Sequence, residues 1–337
     1  MEAQLHHFLE AITQFHSLGI VGVIGVLLLA LGKAADVLVD EAVILADRAE
    51  IPKVIIGATI VSLGTTTPEA AISVLAAIKG DPGLALGNAV GSIICDTGLI
   101  LGIAAMMAPL PLDKSVVNRQ GWIQLGAGVL LVACCFVFGD RLPRTIGFFF
   151  LALLALYIWM SIGWAKKQRG KKKKTAHENE GYALVVAKLI AAVVAVVAVS
   201  HVLIPAVEIA AKHAGIPEHI IAATLVAFGT SLPELVTAVS AVRKGQGELA
   251  IGNVIGADIL NVLFVVGAAC AVTSEGLGIP PNFFKLHFPF MLGVLVFFRV
   301  GIFLSKDKLS RPFGVLLFGS YLSYLATQYM VLGSLKG

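Results

Sequence analysis

The chain carries one stretch twice, and that repeat limits its possible folds more than any other feature. Residues 57–98 contain Ser62-Leu63-Gly64-Thr65-Thr66-Thr67-Pro68-Glu69 and then Gly87-Asn88-Ala89-Val90-Gly91-Ser92-Ile93-Ile94-Cys95-Asp96. Residues 222–263 contain Ala227-Phe228-Gly229-Thr230-Ser231-Leu232-Pro233-Glu234 and then Gly252-Asn253-Val254-Ile255-Gly256-Ala257-Asp258-Ile259-Leu260-Asn261. The windows align without a gap at an offset of 165 and share 17 identities in 42 positions. Unrelated apolar windows rarely share Gly-Thr, Pro-Glu, Lys-Gly and Gly-Asn in one register, so the chain is an internal duplication.

Both copies lie in long apolar runs. Hydrophobic residues are 58% of the chain and charged residues 14%, against about 25% charged in a soluble domain. The runs are continuous rather than alternating, which excludes a β-barrel. The pattern predicts an all-α polytopic membrane protein with spans near 17–34, 54–78, 84–107, 121–139, 145–165, 183–205, 217–241, 249–272, 284–304 and 312–331. The acidic stretch with Asp36, Asp40, Glu41, Asp47 and Glu50 reads as the connection after the first span. Ten transmembrane helices divide as five per half. An odd number inserts the second half upside down, so the expectation is two inverted five-helix repeats. The first occupies 1–165, a basic linker 166–181, and the second 182–337. Residues 1–16 read as a surface-lying start, with no cleaved signal peptide. Cys95, Cys134, Cys135 and Cys270 fall inside apolar runs and read as small hydrophobes.

Charge placement orients the chain. If the linker with Lys171-Lys172-Lys173-Lys174 is cytoplasmic, the N-terminus is outside. Eighteen basic residues then lie inside and six outside, with Arg299 within the ninth span. That bias satisfies the positive-inside rule. The expected location is the cell (inner) membrane, crossed many times.

Glu69 and Glu234 stand in the middle of apolar spans. A charged group at mid-bilayer costs about 2.5–3.5 kcal/mol on insertion scales. No basic residue recurs in both halves to pair with it, which points to cation binding. Ser62, Thr66, Glu69 and Ser73 are spaced to share one helix face, as are Thr230, Glu234 and Thr237, with Ser231 beside them. Pro68 and Pro233 cannot donate to the carbonyls of Gly64 and Gly229, so local unwinding would free backbone oxygens. On the following spans Asn88, Ser92 and Asp96 share a face, matched by Asn253, Ala257 and Asn261. Asp258 lies about one turn before Asn261, off that face. Gly87, Gly91, Gly252 and Gly256 form a small-xxx-small pattern suited to close helix approach. All-oxygen ligands without nearby His or Cys suit a hard ion such as Ca²⁺ or Na⁺.

At these motifs the chain resembles the sodium/calcium exchanger family of the cation/Ca²⁺ antiporter superfamily. The resemblance rests on Gly64 to Glu69, Gly229 to Glu234, Gly87 to Ser92 and Gly252 to Gly256. It implies antiport of Ca²⁺ against Na⁺ by alternating access. It implies a Ca²⁺ site of Glu69 and Glu234 with Thr65, Thr66, Thr230 and Ser231 around them. Flanking Na⁺ sites would use Ser62, Ala227, Ser92 and Ala257, the last through its backbone if at all. Asp96 and Asn261 would complete the cluster, and the long first and sixth helices would slide across the core. Thr67 departs from the family's apolar residue, Ala257 lacks the hydroxyl of Ser92, and the Asp/Asn pair is reversed between repeats. The alternatives left open are a proton- or K⁺-coupled divalent antiporter and a cation channel. No enzymatic centre, cofactor or nucleic-acid partner is expected; the partners are the two ions and the bilayer, with the monomer as the functional unit.

Overall fold

The computed structural model describes residues 17–167, 181–213 and 229–334. The start at 1–16, the Lys171–Lys174 run and Ala227 lie outside the described residues. Long helices dominate: α1 Ser17–Ala49, α2 Lys53–Thr65, α3 Thr67–Ile78, α4 Pro82–Met107, α5 Lys114–Phe138, α6 Arg144–Lys167, α7 Tyr182–His213, α8 Leu232–Arg243, α9 Gly247–Val272, α10 Phe283–Leu304 and α11 Arg311–Ser334. Seven of these are long and apolar enough to cross a membrane, and the bent pair α2–α3 qualifies together as an eighth. Helices are the expected solution, because hydrocarbon offers no partner for a backbone N–H or C=O.

The acidic stretch 36–50 is not a connection, as the sequence reading has it. It is the second half of α1, which runs unbroken to Ala49. The physical reason is local. No Gly or Pro interrupts residues 34–51, and Leu38, Val39, Ala42, Leu45 and Ala46 recur at helical spacing and are all buried. The acidic side chains find partners instead of solvent. Asp36 accepts from Ser240 at 2.6 Å, Asp40 pairs with Lys244 at 2.7 Å and Glu41 with Lys188 at 3.6 Å. The helix stops where Glu50 turns to φ 58° ahead of Pro52.

Burial separates two layers. In the most apolar window of α4, 83% of residues are buried, and in that of α9, 89%; the figures for α1 and α7 are 17% and 28%. The helices that carry the second half of each repeat motif are therefore central, and are apolar nearly all round as a buried helix must be. The long α1 and α7 pack on each other at the periphery, with Ile20, Ala206 and Ile209 in a small cluster of their own.

Two short antiparallel ladders tie the halves together. Leu110–Pro111 (β1) pairs with Lys308–Leu309 (β4), and Arg141–Leu142 (β2) pairs with Leu277–Gly278 (β3). One ladder lies before α5 and the other after it. Since α5 has 25 residues, about 37 Å at 1.5 Å per residue, they cap opposite ends of the molecule. Leu110, Leu142, Leu277 and Leu309 are all buried.

α2 meets α9 backbone to backbone. A Cβ on Gly57 would stand 2.6 Å from the Leu249 carbonyl oxygen and 2.8 Å from the Asn253 nitrogen, and Gly252 and Gly256 abut Val54 and Ala58 in the same way. The small-xxx-small reading thus holds for Gly252 and Gly256. It does not extend to Gly87 and Gly91 among the described residues: a Cβ on Gly87 would only touch the Phe283 ring at 3.7 Å, and one on Gly91 would meet nothing within 4 Å.

Candidate cation site

The site is built where each repeat breaks its helix. Between α2 and α3 the axis turns by 45°. The turn is confined to Thr66, with φ −83° and ψ −3°. Pro68 follows as the second residue of α3, where its missing N–H costs nothing. The second copy repeats this: Ser231 has φ −84° and ψ 9°, and Pro233 is the second residue of α8. Each glutamate therefore sits in the first turn of a helix, where the macrodipole favours a negative charge. The stripe Ser62, Thr66, Glu69, Ser73 does not lie along one straight helix, because the bend falls in its middle.

Hydrogen bonds interlock the two copies. Thr66 Oγ1 donates to Glu234 Oε1 at 3.3 Å, from the first repeat to the second. Thr230 Oγ1 donates to Asn88 Oδ1 at 3.1 Å and lies 3.4 Å from Ser92 Oγ, from the second to the first. Thr65 Oγ1 lies 3.5 Å from Asn253 Oδ1. Asn88 Nδ2 donates to the Glu69 carbonyl at 3.1 Å and to Ser73 Oγ at 3.0 Å, which pins the start of α3 onto α4. Ser62 Oγ donates to the Thr59 carbonyl at 3.3 Å and packs against Gly256.

Glu69, Glu234, Asp96 and Asn261 are each 1% exposed. Glu69 Oε2, Glu234 Oε2, both oxygens of Asp96, Asn261 Oδ1 and Ser231 Oγ are buried without a hydrogen-bond partner among the described residues. Leaving one such atom unpaired costs about 1–3 kcal/mol, and more for a charge. So many in one place call for a ligand. Glu69 feels the charges of Glu234 and Asp96, so the carboxylates form one electrostatic unit. Among the described residues no three His, Cys, Asp or Glu side chains gather as a metal cage. An ion here would draw on hydroxyl, amide and backbone oxygens beside the carboxylates, the mixed set that Ca²⁺ accepts.

Asp96 and Asn261 occupy matching positions near the start of π-helical stretches, Cys95–Ile100 in α4 and Asn261–Val266 in α9. Such bulges recur at functional sites. Thr67 is exposed and donates to the Leu63 carbonyl at 2.7 Å, so its departure from the family's apolar residue lies away from the core. Arg299 is 8% exposed and is held by Asn118, at 2.6 Å from its Oδ1, under Trp122 at 4.4 Å. It serves packing between α10 and α5. All four cysteines are free.

Sequence reasoning missed three polar groups. Gln124 donates to Asp258 Oδ2 at 2.5 Å and to Thr97 Oγ1 at 3.1 Å. Tyr157 OH donates to Gln120 Oε1 and to the Ala58 carbonyl, both at 3.1 Å. His287 Nδ1 lies 2.9 Å from Tyr324 OH. The last two are repeat mates at an offset of 167, Gln120 with His287 and Tyr157 with Tyr324. The signal was available: amides and phenols inside apolar runs at a common offset.

Fold and site together define the class: a polytopic helical membrane protein with a buried, oxygen-lined, duplicated acidic core. The chain belongs to the sodium/calcium exchanger protein family, which it matches over residues 19–163 and 184–330. It is 32% identical to the inner membrane protein YrbG of Escherichia coli K12, over 91% of this chain and 95% of that protein. It is 29% identical to the sodium/calcium exchanger MaX1 of Methanosarcina acetivorans, covering 90% of this chain and 97% of that one. Among solved structures it resembles the sodium-calcium exchanger NCX_Mj soaked with Na⁺ and Ca²⁺, with a TM-score of 0.78 and 25% identity over 91% of this chain and 97% of that one.

Proposed function

We propose that the protein is a secondary antiporter that exchanges Ca²⁺ for Na⁺ across the membrane by alternating access. The observation that carries this reading is the pair Glu69 and Glu234, buried at the first turns of two matching broken helices and each with an oxygen lacking a partner. The relatives' names and the family supply the two ions. In this reading Ca²⁺ lies between Glu69 and Glu234, with Thr65, Thr66, Thr230 and Ser231 around it. Na⁺ uses Ser62, Ala227 and Ser92, and Asp96 and Asn261 close the cluster.

The charge explains the coupling. A core with two bare carboxylates carries a charge that hydrocarbon opposes. Ca²⁺ or Na⁺ neutralises it, so the core reorients only when filled, and one ion must replace the other. α1 and α7, which lie outside the buried core, are the elements free to slide across it.

The same reading takes the fold as ten transmembrane helices in two inverted five-helix repeats, 1–165 and 182–337, joined by a cytoplasmic linker at 166–181. The ladders β1·β4 and β2·β3 at opposite ends of α5 support it, as does the matched geometry of Thr66 and Ser231. The N-terminus is then outside the cell (inner) membrane, and the monomer carries the whole site without a cofactor.

The test is ⁴⁵Ca²⁺ uptake into proteoliposomes loaded with Na⁺, with K⁺ or with an acid interior. Uptake requires internal Na⁺, and Glu69→Gln and Glu234→Gln each abolish it while eluting as folded protein. Uptake driven by the acid interior and indifferent to Na⁺ would replace sodium coupling with proton coupling.

A further inference from the structure

The transport core holds a fourth carboxylate that the duplication does not supply. Asp258 is 2% exposed on α9, and its repeat mate, 165 residues earlier, is Ile93. Two donors converge on one of its oxygens: Thr97 Oγ1 and Gln124 Nε2 each lie 2.5 Å from Oδ2. Gln124 also donates to Thr97 at 3.1 Å, which closes the triangle. The carboxylate is thus fixed by its Oδ2, while its Oδ1 is buried with no partner among the described residues.

Asp258 does not stand alone. Asp96, at the start of the π-helical stretch of α4, lies within range of its charge and of the Glu234 charge. Both Asp96 oxygens are buried and unpartnered, and so is Asn261 Oδ1 one turn beyond Asp258. No Lys or Arg among the described residues hydrogen-bonds or pairs with either aspartate; the nearest candidate in sequence depth, Arg299, is held by Asn118. In the exchange reading Ca²⁺ balances Glu69 and Glu234 only, and two further charges would remain.

We propose that Asp258 and Asp96, with the Asn261 amide oxygen, form a separate monovalent-cation site that takes Na⁺ while Ca²⁺ occupies the glutamate pair. The proposal rests on the exchange reading for the placement of Ca²⁺. Its donor set suits the ion. Carboxylate and amide oxygens are hard ligands, and a pair of aspartates with few further oxygens is too sparse for the six to eight that Ca²⁺ takes. Thr97 and Gln124 are positioning residues: they hold Oδ2 so that Oδ1 faces the ion. Because the site exists once, it makes the two halves unequal in the number of ions they hold.

Equilibrium ²²Na⁺ binding to the purified full chain in lipid nanodiscs tests this, at fixed pH and with saturating Ca²⁺. Wild type keeps bound Na⁺ under these conditions. Asp258→Asn loses one Na⁺ per protein, or needs at least tenfold more Na⁺ to fill it, with Ca²⁺ half-saturation within twofold of wild type. Thr97→Val, a milder change outside the ion's contacts, raises the Na⁺ half-saturation several-fold in the same direction. An unchanged Na⁺ count and affinity in folded Asp258→Asn overturns the proposal, and so does the same result in Thr97→Val should Asp258→Asn not fold. An unchanged Na⁺ count with altered proton uptake assigns Asp258 to a proton and equally overturns it. Failure of the exchange reading shows separately, as wild type that binds no Ca²⁺ or retains full Ca²⁺ binding in Glu69→Gln.

Discussion

The close approach of α2 and α9 makes a sharp prediction for Gly57→Ala. The added Cβ would lie 2.6 Å from the Leu249 carbonyl oxygen and 2.8 Å from the Asn253 nitrogen. Both are backbone atoms, so no rotamer change relieves the clash. Ordinary contact begins near 3.4 Å, so the helices must part by roughly 0.8 Å, the difference between 3.4 and 2.6. Overpacking of this kind costs about 1–3 kcal/mol. Alanine in a helix returns about 0.5–1 kcal/mol relative to glycine, which leaves a net loss of about 1–2 kcal/mol. The displaced atoms belong to the site: Asn253 faces Thr65 at 3.5 Å, already at the limit of a hydrogen bond. The variant should therefore melt several degrees lower in detergent, followed by tryptophan fluorescence, and should need more Ca²⁺ for half-maximal uptake. Gly126→Ala on the exposed face of α5, where a Cβ meets nothing within 4 Å, is the control and should be neutral. A Gly57→Ala protein with wild-type melting and unchanged Ca²⁺ half-saturation would refute the close-packing argument.

Three further outcomes follow from the same geometry. Thr66→Val removes the donor to Glu234 Oε1; a hydrogen bond to a charged group contributes about 1.5–3 kcal/mol, so Ca²⁺ half-saturation rises about tenfold or more in uptake assays with little change in melting. Arg299→Met keeps the length of the side chain but strips Asn118 of its donor and Trp122 of its cation. It should lower stability by about 1–3 kcal/mol and leave Ca²⁺ half-saturation unchanged, since the pair is remote from the carboxylates. Lys244→Ala cuts the links from α8 to the Asp36 carbonyl and to Asp40 on α1. The Asp40 pair is part-exposed and contributes less than about 1 kcal/mol, so melting barely moves. The freed end of α1 should speed labelling of a cysteine placed at Ser240, measured by maleimide reaction in sealed vesicles.

How much of this was legible in the sequence depends on how local the cause was. The helix breaks follow from Pro68 and Pro233 beside Gly-Thr pairs, a local backbone effect, and the chain shows them where those residues stand. Span ends such as 84–107 and 284–304 agree closely with α4 and α10, because long apolar runs report directly on helices that cross or fill a core. The second half of α1 was misread because acidic residues in a window look like a loop until their partners are known. Ser240, Lys244 and Lys188 lie some 150 to 200 positions away along the chain, and only the folded structure brings them to Asp36, Asp40 and Glu41. The glycine pattern failed in one half for a related reason. Whether a glycine serves close approach depends on what lies opposite, and its own sequence context is the same in both copies.

The site shows where duplication stops being a guide. Repeat logic places Glu69 with Glu234, Thr66 with Ser231 and Asp96 with Asn261, and each pair lies at corresponding structural positions. A transporter built from two equal halves could bind its ions symmetrically, yet the polar groups that depart from the repeat cluster on one side. Asp258 faces Thr97 and Gln124, whereas the repeat mates of Asp258 and Thr97 are Ile93 and Val262. Sequence comparison of the halves marks these positions as mismatches, which a repeat argument discards. Physical accounting treats them the other way. A carboxylate buried at 2% exposure with one bare oxygen is costly whether or not it has a mate. The asymmetric residues are therefore where the ion count of this particular exchanger is decided, while the symmetric ones decide that it binds cations at all.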